Sequence, residues 1–113
     1  MHELSITQNI LSIALEKAEA EKAARISRIN LIIGDMTGVV DDCVEFYFGF
    51  LGKDTIAAQA ELSFRHPPVR LRCRNCGADF SPSNIDWTCP TCQKREIEII
   101  SGRELYVESI EVE

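Results

Sequence analysis

Cys73-Arg74-Asn75-Cys76 and Cys89-Pro90-Thr91-Cys92, with twelve residues between them, are the stretch around which the rest of this chain is organised. Two Cys-x-x-Cys pairs at this separation have the ligand spacing of a four-thiolate zinc site. Each pair makes a tight turn that aims two sulfurs at one ion. Gly77 gives the first turn its backbone freedom, and Pro90 stiffens the second. A closed set of four thiolates leaves no open coordination position, so such a site holds structure and does not catalyse. Between the pairs, Phe80, Ile85 and Trp87 are the only sizeable apolar groups. The metal then stands in for the missing core, contributing on the order of 10 kcal/mol to folding of the module. Disulfides and a redox Cys-x-x-Cys are the alternatives. A redox motif needs a single pair at the start of a helix, and two matched pairs argue for a metal instead.

Iron is the second choice of metal, because the Cys-x-x-Cys-Gly and Cys-Pro-x-Cys turns resemble those of rubredoxin. Rubredoxin separates its pairs by a longer stretch, which favours zinc here. Outward from the cysteines, Pro67-Pro68 breaks the chain and marks the entry to the module. Upstream, residues 4–24 read as an amphipathic helix with Ile6, Ile10, Ile13 and Ala14 on one face and Leu11, Leu15 and Ala18 beside them. Ser5 and Gln8 fit a capping box, which predicts a helix start near Ser5. Residues 26–33 are rich in β-branched side chains and read as a strand. Gly34-Asp35-Met36-Thr37-Gly38 is a turn without the glycine spacing of a phosphate loop. Asp41 or Asp42 can cap a second helix running to about Leu51, with Val40, Val44, Tyr47 and Leu51 on its apolar face and Cys43 and Phe50 alongside. Cys43 is then simplest as a small buried residue. Residues 60–66 form a second strand with Leu62 and Phe64 on one face. After Cys92 come a short strand over 96–100, a Ser101-Gly102 turn, and a last strand over 104–112 that returns to the first unit. The zinc module is thus an insertion between two strands of a sheet domain.

The chain has 113 residues, 45% of them apolar, which suits one compact domain plus a small module. No apolar run reaches membrane-spanning length, and polar residues follow the initiator at once, so neither a membrane nor a secretory route is expected. An odd number of cysteines at metal spacing fits a reducing, cytoplasmic setting. The net charge of −6 opposes non-specific nucleic-acid binding. Residues 65–95 carry six basic against two acidic groups, a local +4, which leaves −10 for the remainder. The plain reading is a solvated basic face; the sharper one is docking of the module on an acidic surface.

Met1-His2-Glu3 offers a second metal site. The terminal amine, the amide nitrogen of His2 and its imidazole Nδ1 can close two fused chelate rings around one ion. Nitrogen ligation in a plane suits Ni(II), and Cu(II) on affinity alone. The amide or carboxylate of Glu3 can fill a fourth position. Amides at a helix start have no intrahelical acceptor and can be given up to a metal. The amine titrates at about 8 in model peptides, so uptake releases protons and weakens in acid. On spacing alone, an uninvolved terminal histidine is the simpler reading of His2. The other histidine, His66, reads as a surface or packing residue. Ser5 lacks the partners of a triad nucleophile, and no enzymatic activity is expected.

Taken together, Met1-His2-Glu3, the helix opening Leu4-Ser5-Ile6, the strand end Ile32-Ile33-Gly34 and the quartet Cys73, Cys76, Cys89 and Cys92 resemble the HypA/HybF family of hydrogenase maturation factors over essentially the whole chain. The resemblance implies an α+β fold: two helices on a three-stranded sheet with an inserted zinc-ribbon-like module. It divides the chain into a nickel-binding domain, residues 1–68 and 102–113, and a zinc-binding module, residues 69–101. It implies a nickel metallochaperone that binds Ni(II) through His2, Met1 and Glu3 and keeps structural Zn(II) on the four cysteines. The implied partners are the GTPase HypB and the NiFe-hydrogenase large subunit, with urease maturation proteins as further clients. Some family members add an acidic ligand from the second helix; here Asp41 and Asp42 stand at its start, but an ungapped register puts Val40 in that place. No histidine lies within the zinc module. Two other classes bear on the same residues: a nucleic-acid-binding zinc ribbon, opposed by the acidic remainder, and a rubredoxin-like electron carrier, which would be red.

Overall fold

The computed structural model describes residues 3–82 and 87–113. Helix α1 spans Glu3–Ala20, strand β1 Ile26–Ile33, helix α2 Asp41–Leu51 and strand β2 Glu61–Arg65. Then come β3 (Arg70–Cys73), β4 (Asp79–Phe80), β5 (Ile97–Ser101) and β6 (Leu105–Val112). Two three-stranded sheets result, ordered β2-β1-β6 and β4-β3-β5. The second sheet is entered through Pro67-Pro68 and left through Gly102. Two helices and a three-stranded sheet with a four-cysteine insertion agree with the expected fold class.

In the first sheet, β1 is the central strand. It runs parallel to β2, reached through α2, and antiparallel to β6. A parallel pair requires such a crossover, whereas β6 comes back only after the whole second sheet. Ile26, Ile29, Leu31 and Ile33 of β1 are buried with Ile10, Leu11, Ala14 and Ala18 of α1 and Val44 and Phe48 of α2. The opposite face is polar: Arg28 pairs with Glu61 and Glu111, Asn30 bonds Ser109, and Arg65 pairs with Glu108.

α1 begins at Glu3, ahead of the expected Ser5 cap, and ends at Ala20 rather than Ala24. Lys22 takes a left-handed conformation (φ 54°), with Ala23 N–H donating to Ala18 O and Lys22 N–H to Glu19 O. That is a Schellman closure with lysine where glycine is usual. Thr7, absent from the apolar reading, is fully buried; its hydroxyl donates to Glu3 O (2.6 Å) and so needs no other partner. Ile13, expected in the core, is instead exposed on the flank of a groove of about 320 Å³ between α1 and β6.

α2 also differs from its periodicity. Its N-cap residue is Val40, with no side-chain cap, and Asp41 and Asp42 lie in the first turn, where carboxylates favour the helix dipole. The buried residues are Val44 and Phe48; Val40 and Phe50 are exposed, and so is Cys43, which the sequence reading had buried. The reason is rotational. A face centred on Val44 and Phe48 turns Cys43, Phe46 and Phe50 toward solvent.

Where the chain passes between the sheets, segment 34–36 holds both crossings. Gly34 N–H donates to Glu104 O (2.7 Å), Met36 N–H to Gly102 O (2.8 Å) and Asp35 N–H to Pro67 O (3.0 Å). A Cβ on Gly34 would lie 2.2 Å from Gly102 O, so only glycine admits this approach. Among the described residues no helix is long and apolar enough to cross a membrane.

Candidate metal centres

Cys73 ends β3, and residues 74–76 turn the chain back toward β4. The turn closes by two backbone bonds: Gly77 N–H to Cys73 O (2.8 Å) and Cys73 N–H to Ala78 O (2.9 Å). The second pair repeats this arrangement. Gln93 N–H donates to Cys89 O (2.9 Å) and Cys89 N–H to Lys94 O (2.9 Å). In each turn the residue after the second cysteine has positive φ, 79° at Gly77 and 66° at Gln93. The sequence shows the first through its glycine and hides the second, because a left-handed glutamine has no compositional mark. Beyond the pairs, the structure adds β3 and β4 to the one strand expected near residues 96–100.

The turns bring Cys73, Cys76, Cys89 and Cys92 together, with all four sulfurs within 4.8 Å of one another. Cys73 and Cys92 Sγ lie 3.5 Å apart, and Cys76 and Cys89 Sγ 3.6 Å. A disulfide needs about 2.05 Å, and all five cysteines are free thiols. Four sulfurs at about 2.3 Å from a tetrahedral ion sit about 3.8 Å apart, so the cluster fits a metal with little movement. Backbone N–H groups already point at sulfur. Cys89 is pulled down to about 6, led by the N–H of Cys92, with that of Thr91 adding. Cys92 is lowered as well, led by the N–H of Lys94. At Cys76 the N–H of Ala78 lowers the pKa, but desolvation and the three neighbouring thiols push it up to about 11. Packed this closely, the sulfurs ionise unequally, and a divalent cation relieves the crowding by accepting all four as thiolates.

The basic groups around this cluster are largely engaged within the chain. Arg72 forks onto Asp79 (2.7 and 3.2 Å), Arg70 donates to Ser81, Arg74 lies 3.7 Å from Glu98, and Arg65 reaches Glu108 on β6. The local +4 is thus largely matched by its own acidic and polar neighbours.

Of the three N-terminal residues, Met1 and His2 lie outside the described residues, as does Ile85 of the module. Glu3 is described. Its carboxylate accepts a long hydrogen bond from Val40 N–H (3.4 Å), placing the start of α1 against the start of α2. Beside this contact is a cavity of about 340 Å³ lined by Asp35, Val40, Asp41, Asp42 and His66 among others. His66 is pinned at both ring nitrogens, to Ile33 O (2.8 Å) and Asp41 Oδ2 (2.7 Å). Both partners accept, so both nitrogens must carry protons, and the Asp41 bond leads the rise of its pKa above 6.5.

Compared with known proteins, residues 1–112 match the sequence profile described as hydrogenase/urease nickel incorporation, metallochaperone, hypA. A hydrogenase maturation factor HypA from Dehalococcoides mccartyi is 48% identical over 113 residues, covering all of this chain and 95% of that protein. The protein of the same name from Caldanaerobacter subterraneus subsp. tengcongensis is 40% identical over 114 residues, with both chains fully covered. Two solution structures share the fold at 24% identity. One, of a HypA protein, has a TM-score of 0.78 and covers 99% of this chain and 96% of that one. The other, of the Ni metallochaperone HypA from Helicobacter pylori, has a TM-score of 0.71 with 99% and 97% covered.

Proposed function

The chain belongs to the HypA family of metallochaperones for hydrogenase and urease nickel incorporation, and on that premise we propose that it carries one Ni(II) at its N-terminus and helps deliver it to the NiFe-hydrogenase large subunit. The ligands in this reading are the Met1 amine, the amide nitrogen and Nδ1 of His2, and the amide or carboxylate of Glu3. Cys73, Cys76, Cys89 and Cys92 hold Zn(II), which is structural. The GTPase HypB is the working partner, urease maturation proteins are further clients, and the setting is the cytoplasm. Residues 1–68 with 102–113 act as the nickel-binding unit, and residues 69–101 as the zinc module.

The contact of Glu3 with Val40 N–H is the observation that carries the N-terminal site. It holds the third residue of the chain at a fixed place between two helix starts. Val40, the partner in that contact, also lines a cavity bearing Asp35, Asp41 and Asp42, and their negative charge supports the reading of a cation held near this end of the chain. Asp41 is already engaged by His66 and is not counted as a ligand. The four sulfurs leave no open position for exchange, whereas a site made of chain-terminal nitrogens can release its ion without unfolding anything. Separate roles for the two metals follow from that contrast.

Ni(II) titration of zinc-loaded, untagged protein, followed by heat and absorbance, tests this reading. One nickel per chain is expected for the native protein, with none bound by His2→Ala and zinc retained in both. Equal nickel binding by His2→Ala would move the site elsewhere.

A further inference from the structure

Strand β6 is an edge of the first sheet, with β1 on one side and no strand on the other among the described residues. An open edge is a template for another strand, and proteins blunt it with charge, proline or a bulge. The opposite edge, β2, begins and ends in charge, with Glu61 and Arg65. The far half of β6 is blunted too. A register shift leaves Glu108 without a partner on β1, and Glu108 and Glu111 pair with Arg65 and Arg28. Leu105-Tyr106-Val107 has no charge and no proline, and it lies ahead of the shift.

The backbone of this stretch alternates. Gly34 N–H donates to Glu104 O (2.7 Å), so the polar groups of Tyr106 also face β1, and those of Leu105 and Val107 face outward. Leu105 and Val107 stand opposite Ile33 and Leu31. Both of these are buried, which puts the side chains of Leu105 and Val107 on the helix-covered face of the sheet. On that face, Ile6 and Ile13 of α1 join Leu105 and Val107 in walling the groove of about 320 Å³. Ile13, Leu105 and Tyr106 are 41%, 37% and 50% exposed. A strand added beside β6 would bond to Leu105 and Val107, and its residues opposite these two would turn their side chains into the groove. Open backbone groups and apolar space coincide in register, two residues apart.

Charge selects the occupant. Together, α1 and β6 carry Glu3, Glu16, Glu19, Glu108 and Glu111 against Lys17 alone. Ile6, Asn9, Ile13 and Glu16 follow at helical steps of three and four, so Glu16 continues the wall of the groove. It is exposed and has no ion pair among the described residues. We propose that the Leu105–Val107 edge of β6, with the groove beside it, takes up an extended segment of a partner protein by strand addition. That segment carries apolar side chains at alternate positions and a basic residue at its end. The proposal is independent of where nickel binds.

The test uses the untagged, zinc-loaded full chain without nickel. Its probe is the fluorescently labelled peptide acetyl-Lys-Ser-Val-Thr-Val-Thr-Val-Ser-Lys-amide. Anisotropy follows binding, and amide exchange is read residue by residue. The probe should bind in the micromolar to millimolar range and more weakly as salt is raised. It should slow exchange at Leu105 and Val107 and leave Tyr106 as it was. Proline in place of the central valine should abolish binding, and glutamates in place of both lysines should weaken it by at least about tenfold. Leu105→Pro removes one outward donor at the first residue of a strand, where proline is tolerated. Ile13→Lys puts a like charge at the exposed mouth of the groove. Each variant should lose at least about tenfold in affinity while melting as the native chain does. Should Leu105→Pro fail to fold, Ile13→Lys decides alone. A native chain that does not bind the probe overturns the proposal. So does binding without new protection at Leu105 and Val107, or binding undiminished in Ile13→Lys. Equal binding of the glutamate-ended probe overturns the assignment of a basic partner.

Discussion

In the sheet β2-β1-β6, the central strand buries Ile26, Ile29, Leu31 and Ile33 beneath two helices, and the core continues into Ile10, Leu11, Val44 and Phe48. In the four-cysteine module that carries the sheet β4-β3-β5, the buried apolar side chains among the described residues are Leu71, Cys73 and Cys89, and two of these belong to the cysteine cluster. The first sheet is held by apolar area removed from water, at roughly 25 cal/mol per Å². Among the described residues no helix packs on the second, whose strands run from two to five residues. Sheets of that size do not stand alone in water. The comparison shows one chain using two sources of order: hydrophobic burial where two helices are at hand, and metal ligation where they are not.

Removing the metal would break this comparison most sharply. Chelation, or Cys73→Ser, should unfold the second sheet, since structural zinc contributes on the order of 10 kcal/mol to such modules. The first sheet should survive. Amide exchange read residue by residue checks it: protection should vanish across Arg70–Ser101 and persist in Ile26–Ile33. Loss of protection in both would mean that the first sheet depends on the second.

Gly34→Ala attacks the join between the two. Its Cβ would stand 2.2 Å from the carbonyl oxygen of Gly102, backbone that cannot swing aside as a side chain can. Overpacking of this kind costs about 1–3 kcal/mol, visible as a lower urea midpoint at unchanged slope. The metal content of the four-cysteine site should not change, because both cysteine turns close within themselves. A variant as stable as the native chain would show that the crossing can shift freely.

The smallest effect belongs to His66, which anchors the approach to Pro67. Its pKa is raised in the folded chain, led by Asp41. Its contribution is therefore full below its ordinary value of 6.5 and is lost as pH climbs through the folded pKa. His66→Ala should cost more stability at about pH 5.5 than at about pH 8.5. The pair is partly exposed, so the difference should be under about 1 kcal/mol. Denaturation curves at the two pH values decide; a deficit equal at both would assign His66 a packing role alone.

The four-cysteine cluster was the most legible part of the molecule, and the proposed N-terminal site the least. Cys73, Cys76, Cys89 and Cys92 announce themselves because each knuckle is a local object: its bonds run from Cys73 to Gly77 and Ala78, and from Cys89 to Gln93 and Lys94. Spacing alone carries that information. Met1-His2-Glu3 carries no comparable spacing signal: its residues allow a nickel chelate, and the resemblance of the whole chain to a family is what made that the expectation.

By itself, the sequence determined the order of the two helices and of the three strands of the first sheet, the two thiolate turns, the break at Pro67-Pro68 and the acidic excess outside the module. These rest on periodicity, on backbone constraints and on composition, all of which act over a few residues. Tertiary structure decided the rest: the parallel pairing of β1 with β2, the rotation of α2 that turns Cys43 outward, the burial of Thr7, the clasp of His66 on Asp41, and the need for glycine at position 34. Each depends on what arrives from far along the chain, such as Gly102 against Gly34 or Asp41 against His66. A local pattern cannot encode contacts that exist only once distant segments have packed.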